Sequence, residues 1–286
     1  MESKEKNAQI CGHMGCRSPV PPRDRHCPAC GNDVGVPNVR KSRDTSEVVA
    51  LGLRHAKARE SAVNGNFDSI FDAYEAAVRE SQAVVCMFPS RLLQVVLEGA
   101  LLSTFMKQVE GEMRVAQDNE FDAVRSSFEE AYFPGYSSSI RFGALSLDGF
   151  GHAAYGTCAV SLKDQAIESR ASVFEFPLFK FSQNLNLAKP IPVGHRADWS
   201  NRAKLAAAKA IDSLAQERPP EFREILLPTP TDTTSDCIEV HIYGALNIHS
   251  IKGVSFYAAT RPADSTLQQV ISDSLKDQGI PMRDAK

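Results

Sequence analysis

Four of the seven cysteines lie between residues 11 and 30, in the segment CGHMGCRSPVPPRDRHCPAC. The first 44 residues contain few large apolar side chains, so they cannot build a hydrophobic core of their own. Two cysteine pairs at this spacing are typical of a zinc ribbon, in which two short turns each offer two ligands to a tetrahedral ion. We therefore expect a bound zinc ion to supply the folding energy of residues 1–44.

The ligands predicted from this spacing are Cys11, Cys16, Cys27 and Cys30. The second pair has the two-residue gap of a common zinc knuckle, whereas the first pair has a gap of four residues. His13 would restore a two-residue gap before Cys16, so the fourth ligand stays open between His13 and Cys11. We favour Cys11 because a thiolate binds zinc strongly. A closed shell of four ligands leaves no position for water, which predicts a structural ion.

The overall charge and composition limit the kinds of partner that the protein can bind. A formal net charge of −3 creates no global field that would attract nucleic acid, so such a contact would need a local basic patch. The segment around the cysteines offers one in Arg17, Arg23, Arg25, Arg40 and Lys41. The chain starts with a polar segment and contains no long uncharged apolar run, so we expect a cytoplasmic protein without a membrane partner.

The pattern along the chain predicts an α+β protein in three parts: a zinc ribbon (1–44), a helical middle segment (45–132) and a mixed or antiparallel β-sheet domain (133–286). In the middle segment, helices are expected from about residue 45, with a strong apolar stripe from Phe67 to Val78. A central helix is expected over 90–113, which is apolar on most of its circumference. Helices are also expected at 119–131, 198–216 and 264–277. Strands are expected at 140–147, 156–162, 171–181, 223–228, 237–244 and 253–260.

The strand CIEVHIY alternates strictly, so Ile238, Val240 and Ile242 should face one side of the sheet. Glu239 and His241 should then share the other side. Such a face either lines a cleft or is the solvated side of a strand, and the sequence alone leaves both interpretations open.

Three stretches resemble toxin-like ADP-ribosyltransferases in order and spacing: IRFGALSLDG (140–149), AYGTCAVSLKDQAIESRASVF (154–174) and IEVHIYG (238–244). The segment CPACGNDVGVPNVRKS also resembles the ribbon that precedes helices in uncharacterised bacterial proteins. Together these resemblances imply a bacterial toxin or defence protein with a split-sheet catalytic domain. That domain would cleave NAD, as a substrate, and transfer ADP-ribose to an unknown macromolecule.

The transferase resemblance also implies roles for individual residues. Glu239 would hold a ribose hydroxyl and stabilise the positive charge that develops when nicotinamide leaves, with His241 beside it. The cofactor-binding residues would be Arg141 on the phosphates, Tyr155 and Gly156 at the nicotinamide ring, and Ser172 as a support for the carboxylate. His241 stands where that pattern has Gln, which leaves the target and the activity open.

Each of these residues also has an ordinary structural interpretation. Arg141 could pair with an acid at a sheet edge, and Tyr155 with Gly156 could form a turn into a strand. The second hypothesis is therefore a non-catalytic binding protein, in which the ribbon recognises a nucleic acid or a protein and the sheet is a scaffold.

Overall fold

The computed structural model describes residues 9–102, 104, 120–181, 190–229, 236–259 and 262–284. The helices in these ranges are α1 (Pro37–Ser42), α2 (Thr45–Asn64), α3 (Asp68–Arg79), α4 (Pro89–Leu97), α5 (Glu120–Tyr132), α6 (Asp164–Ile167), α7 (Arg202–Leu214), α8 (Phe222–Leu226) and α9 (Pro262–Asp277). The strands are β1 (Gln9–Ile10), β2 (Pro19–Val20), β3 (Gln82–Met87), β4 (Ile140–Ser146), β5 (Cys158–Leu162), β6 (Ala171–Phe174), β7 (Arg196–Asp198), β8 (Glu239–Tyr243), β9 (Ile251–Phe256) and β10 (Met282–Asp284).

Eight strands form one large mixed sheet in the order β10-β9-β5-β3-β4-β8-β6-β7. Its neighbouring strands are antiparallel except for β10 and β9, which are parallel. The prediction of an α+β protein is thus confirmed at the level of mixed helices and sheet, and so are strands at the expected places for β4, β5, β8 and β9.

The central position of β3 corrects the predicted helical middle segment. This strand lies between β4 and β5, with Val84 aligned with Ala144 on one side and with Ser161 on the other. The sheet therefore crosses the boundary predicted at residue 133. The reason is that β3 is a short strand with five consecutive apolar residues, and the sequence does not distinguish such a run from a piece of buried helix.

The predicted helix over 90–113 is also corrected. Helix α4 ends at Leu97, and the chain turns at Gly99, whose φ of +65° favours glycine. The backbone N–H of Leu102 then donates to the carbonyl of Leu246 at 2.9 Å, which fixes the chain against the sheet domain. Residues 103 and 105–113 of that prediction lie outside the described residues.

Two further local predictions have different outcomes. Residues 223–228 were expected to form a strand, but Phe222–Leu226 is a helix that follows a pair of prolines. At the other site, the dipeptide Asp198-Trp199 acts as a cap and an anchor before α7: the Asp198 carboxylate accepts from the backbone N–H of Asn201 at 3.2 Å, and Trp199 is buried.

The largest hydrophobic core lies between one face of the sheet and a layer of helices. Leu51 of α2, Tyr74 of α3 and Leu205 of α7 pack there against β-strand side chains such as Val173 and Val240. A second, more aromatic cluster lies on the other face; its buried members are Phe133, Tyr136, Ile140, Phe174, Leu178, Phe181 and Ile191. No helix in the described ranges is long and apolar enough to cross a membrane.

Candidate metal centre and the strand of Glu239

The N-terminal cysteines sit in two short hairpins. The first is closed by the antiparallel pair β1 and β2, and the second by a single bridge between His26 and Asp33. In each turn a backbone N–H donates to a nearby carbonyl: that of Cys16 to His13 at 3.1 Å, and that of Gly31 to Cys27 at 2.8 Å. These tight turns direct both cysteine pairs to one point.

The four sulfur atoms of Cys11, Cys16, Cys27 and Cys30 all lie within 4.8 Å of one another. The Sγ atoms of Cys11 and Cys30 are 3.7 Å apart, and those of Cys16 and Cys27 are 3.6 Å apart. A tetrahedral ion with metal–sulfur bonds of about 2.3 Å requires sulfur atoms separated by about 3.8 Å. The donor set therefore fits a metal ion and is consistent with a zinc ribbon.

The fourth position of this cluster belongs to Cys11. Its side chain is buried, whereas His13 is exposed and is not part of the cluster. The ribbon contributes little apolar burial of its own, because the buried members of its cluster are Cys11, Val20 and Cys27. A metal ion at the four thiols would thus hold together a segment that packing alone does not.

Arg40 and Asn38 of α1 connect the ribbon to the sheet domain. The Arg40 guanidinium donates to ribbon carbonyls, including that of Asp24 at 2.8 Å. Two residues earlier, the Asn38 amide donates to the carbonyl of His241 at 2.8 Å and to the hydroxyl of Ser172 at 3.1 Å. Helix α1 therefore covers part of the sheet face that carries Glu239.

The alternation predicted for β8 is confirmed. Ile238, Val240 and Ile242 belong to the large core, whereas His241 lies on the opposite, aromatic face. On that face one carboxylate oxygen of Glu239 accepts from His241 Nε2 at 2.8 Å and from the backbone N–H of Leu178 at 3.0 Å. Because a carboxylate accepts only, Nε2 carries the imidazole hydrogen in this pair.

His241 is enclosed. Its side chain is 0% exposed, and its ring centroid lies 4.2 Å from that of Phe174, 5.0 Å from that of Phe133 and 5.2 Å from that of Phe142. The side chain of Glu239 retains 17% exposure. This face of β8 is therefore an aromatic interior with a partly accessible carboxylate at its margin.

A second carboxylate, which sequence reasoning missed, lies close to Glu239. Glu129 of α5 is buried, and burial raises the pKa of its carboxyl. Arg125, whose Nε lies 2.6 Å from Glu129, opposes that shift, while the charge of Glu239 adds to it. The (i, i+4) spacing of Arg125 and Glu129 in an expected helix was the signal that could have found this pair.

Ser172 lies beside the Glu239 pair, but Arg141 does not. Ser172 on β6 is aligned with His241 and is fully buried. Arg141 is aligned with Ile242, so its side chain lies on the opposite face of the sheet from Glu239.

The Arg141 guanidinium binds backbone carbonyls. It donates to the carbonyl of Leu102 and to that of Gly244, both at 2.5 Å. Burial lowers the pKa of Arg141 to about 10, with a smaller contribution from nearby Arg170. Through these hydrogen bonds the Arg141 side chain cross-links the backbone at this end of β4 and β8.

Tyr155 and Gly156 lie just before β5, which is separated from β8 by β3 and β4. Three strand spacings of about 4.8 Å place β5 about 14 Å from β8. Gly156 has a φ of +136°, and a Cβ there would lie 2.1 Å from the carbonyl carbon of Met87. The glycine is therefore required by close backbone packing, and Tyr155 is half exposed beside it.

The structure thus brings Glu239, His241 and Ser172 together and places Arg141, Tyr155 and Gly156 elsewhere. A comparison with models of known protein families finds no match, and a comparison with curated proteins finds no related one. The functional interpretation rests on the geometry of these sites alone.

Proposed function

We propose that this chain is a zinc-ribbon binding protein that uses its ribbon to engage a partner protein. The four convergent thiols carry this proposal, because their spacing suits a tetrahedral zinc ion with no open coordination position. Zinc in such a shell stabilises the ribbon and performs no chemistry. The function of the ribbon then lies in the surface that the ion holds in place.

The charges of the ribbon favour a protein over a nucleic acid. Arg25 is paired with Asp33 at 2.8 Å, and Arg23 lies 3.6 Å from Asp24. Arg40 is occupied by backbone carbonyls. These contacts leave Arg17 and Lys41 of the five basic residues for phosphates, whose binding depends on several free Lys and Arg side chains.

Apolar side chains project from the same segment. Met14, at the tip of the first turn, is 94% exposed, and Ile10 is 62% exposed. A flexible thioether at an exposed tip is suited to a protein surface that supplies an apolar pocket. The ribbon therefore offers exposed apolar side chains at the tip of its first turn.

A site-specific cross-linking experiment tests this proposal. A photoreactive phenylalanine analogue replaces Met14 in one variant and Val63 in a control variant, since Val63 is also an exposed apolar residue, on α2. We expect a protein adduct in cells from position 14 and not from position 63, and we expect a zinc chelator to abolish it. Equal adducts from both positions, or no adduct, would refute the proposal, and a salt-sensitive shift of DNA or RNA would favour a nucleic-acid partner.

ADP-ribosyl transfer is a second candidate, favoured by the partly exposed carboxylate of Glu239 beside His241 and Ser172. On this proposal, Glu239 stabilises the developing charge of the ribose, and a cation other than Arg141 holds the pyrophosphate. Labelled NAD tests it. We expect NAD hydrolysis or transfer that Glu239→Gln abolishes, and absence of both from the wild-type protein would remove this candidate.

A further inference from the structure

A cavity with a volume of about 820 Å³ opens beside the end of β4, beneath the turn at residues 147–154. Its wall also includes residues of α8, the end of β9 and β10. None of the ribbon residues and none of the residues around Glu239 line it. It is therefore a separate site, of a size that suits a small organic molecule.

Arg283 presents a guanidinium at the wall of this cavity. It is aligned with Ser255 on β9, and its guanidinium lies over Gly149: a Cβ at residue 149 would be 2.5 Å from Arg283 Nη2. Gly149 also has a φ of +78°. The turn can approach the guanidinium this closely because residue 149 is glycine.

The other arginine of the wall is already neutralised. Arg223 has carboxylate oxygens of Glu221 at 3.1 Å, Asp148 at 3.7 Å and Glu224 at 3.8 Å. Arg283 has no such partner among the residues that the structure describes. Asp284, the next residue of β10, also lines the cavity, but no carboxylate oxygen of the described residues lies within 4.0 Å of the Arg283 guanidinium. Among the described residues, the cavity thus contains a positioned guanidinium that is not engaged in an ion pair.

An aromatic wall accompanies this cation. The rings of Phe150 and Tyr257 meet edge to face with centroids 5.4 Å apart. The Tyr257 hydroxyl donates to the carbonyl of Gly151, which holds the ring in place and occupies its polar atom. What remains for a ligand is therefore the apolar body of these rings.

From this combination we infer that the cavity binds a small aromatic anion, whose oxyanion pairs with Arg283 and whose ring packs against Phe150 and Tyr257. A planar guanidinium binds a phosphate or carboxylate through two parallel hydrogen bonds. The aromatic wall accepts a flat apolar ring. This inference does not depend on the proposed partner of the ribbon.

Phenyl phosphate, inorganic phosphate and benzyl alcohol are suitable probes, titrated into the full chain and followed by calorimetry or NMR. We expect phenyl phosphate to bind at least tenfold more tightly than either of the other two. Inorganic phosphate offers only the oxyanion, and benzyl alcohol offers only the aromatic ring. No binding of phenyl phosphate, or equal binding of one of the simpler probes, would overturn the inference.

Two variants locate the site. Arg283→Gln should weaken phenyl phosphate binding at least tenfold, and Phe150→Ala should weaken it severalfold while leaving the weak binding of inorganic phosphate unchanged. Arg218→Gln, at an exposed arginine outside the cavity, is the matched control and should bind as the wild type does. Wild-type affinity in Arg283→Gln would overturn the assignment. If Arg283→Gln does not fold, wild-type affinity for phenyl phosphate in Phe150→Ala would overturn the assignment instead.

Discussion

The contact between Glu239 and His241 predicts a measurable coupling in stability. Glu239→Leu keeps the approximate size of the side chain but removes the acceptor for two donors, the backbone N–H of Leu178 and Nε2–H of His241. A buried donor without a partner costs about 1–3 kcal/mol, so the loss of the acceptor for two donors should lower the free energy of unfolding by about 2–6 kcal/mol.

His241→Phe is the complementary change. A phenyl ring suits a position already enclosed by Phe133, Phe142 and Phe174, so we expect a smaller loss, of about 1 kcal/mol. In the double variant, the imidazole donor that Glu239→Leu would strand is absent. The two changes should therefore be less costly together than their sum, by about 1.5–3 kcal/mol, the usual value for a hydrogen bond to a charged group.

Urea denaturation followed by the fluorescence of Trp199, the single tryptophan of the chain, gives the four free energies of this cycle. A coupling below about 0.5 kcal/mol would refute the interpretation of the pair as a structural hydrogen bond. Such a result would favour a catalytic role for Glu239, which the experiment with labelled NAD tests independently.

Three further predictions concern the ribbon, the buried guanidinium and acid stability. Chelation of the metal, or Cys27→Ser, should accelerate amide exchange in the ribbon and leave the large sheet protected, because the two have separate cores. Arg141→Met should lower the free energy of unfolding in urea by about 2–4 kcal/mol, since two carbonyl oxygens lose their donor. Burial alone would raise the pKa of Glu175, but contacts with His195 and Arg54 outweigh it and hold that pKa below its ordinary value. The ionised Glu175 carboxylate therefore stabilises the fold above the ordinary pKa, and this stabilisation is lost as the pH falls below that value. In thermal melts between about pH 5 and pH 3, the Glu175→Gln variant should therefore lose less stability than the wild type.

Each of these predictions has a matched control. Cys86→Ser changes a cysteine outside the metal cluster and should leave exchange in the ribbon unchanged. Arg218→Met and Glu217→Gln alter exposed side chains of the same types and should leave urea stability and acid stability as they are. Global unfolding on chelation, an Arg141→Met variant as stable as wild type, or the same acid profile with and without Glu175 would each contradict its prediction.

The parts of the fold that could be predicted are those that depend on local sequence patterns. The cysteine spacing brings four sulfurs to one point, because each pair is held in its own turn. The period of two in β8 and the apolar stripe of α7 likewise need no knowledge of distant residues. Such features depend on neighbours within a few positions along the chain.

The parts that were missed depend on distant contacts. Residues 82–87 are a strand because β4 and β5 supply partners on both sides, and nothing in the run itself distinguishes it from buried helix. Helix α4 ends at Leu97 although the apolar pattern continues, because the chain turns at Gly99 and Arg141 then binds the carbonyl of Leu102. In both cases tertiary hydrogen bonds override local propensity.

Strand register explains why the expected site residues separate. An alternating pattern shows that Glu239 and His241 share a face, but it does not show which residues of β4 face them. The observed alignment pairs Glu239 with Ala144, and since residues 141 and 144 differ by an odd number, Arg141 must project from the other face. A slip of one residue would bring Arg141 to the face that carries Glu239, but it would also turn Phe142 away from His241 and break up the aromatic cluster. A site for NAD on this face therefore requires a cation other than Arg141, because the packing around His241 holds the register that turns Arg141 away.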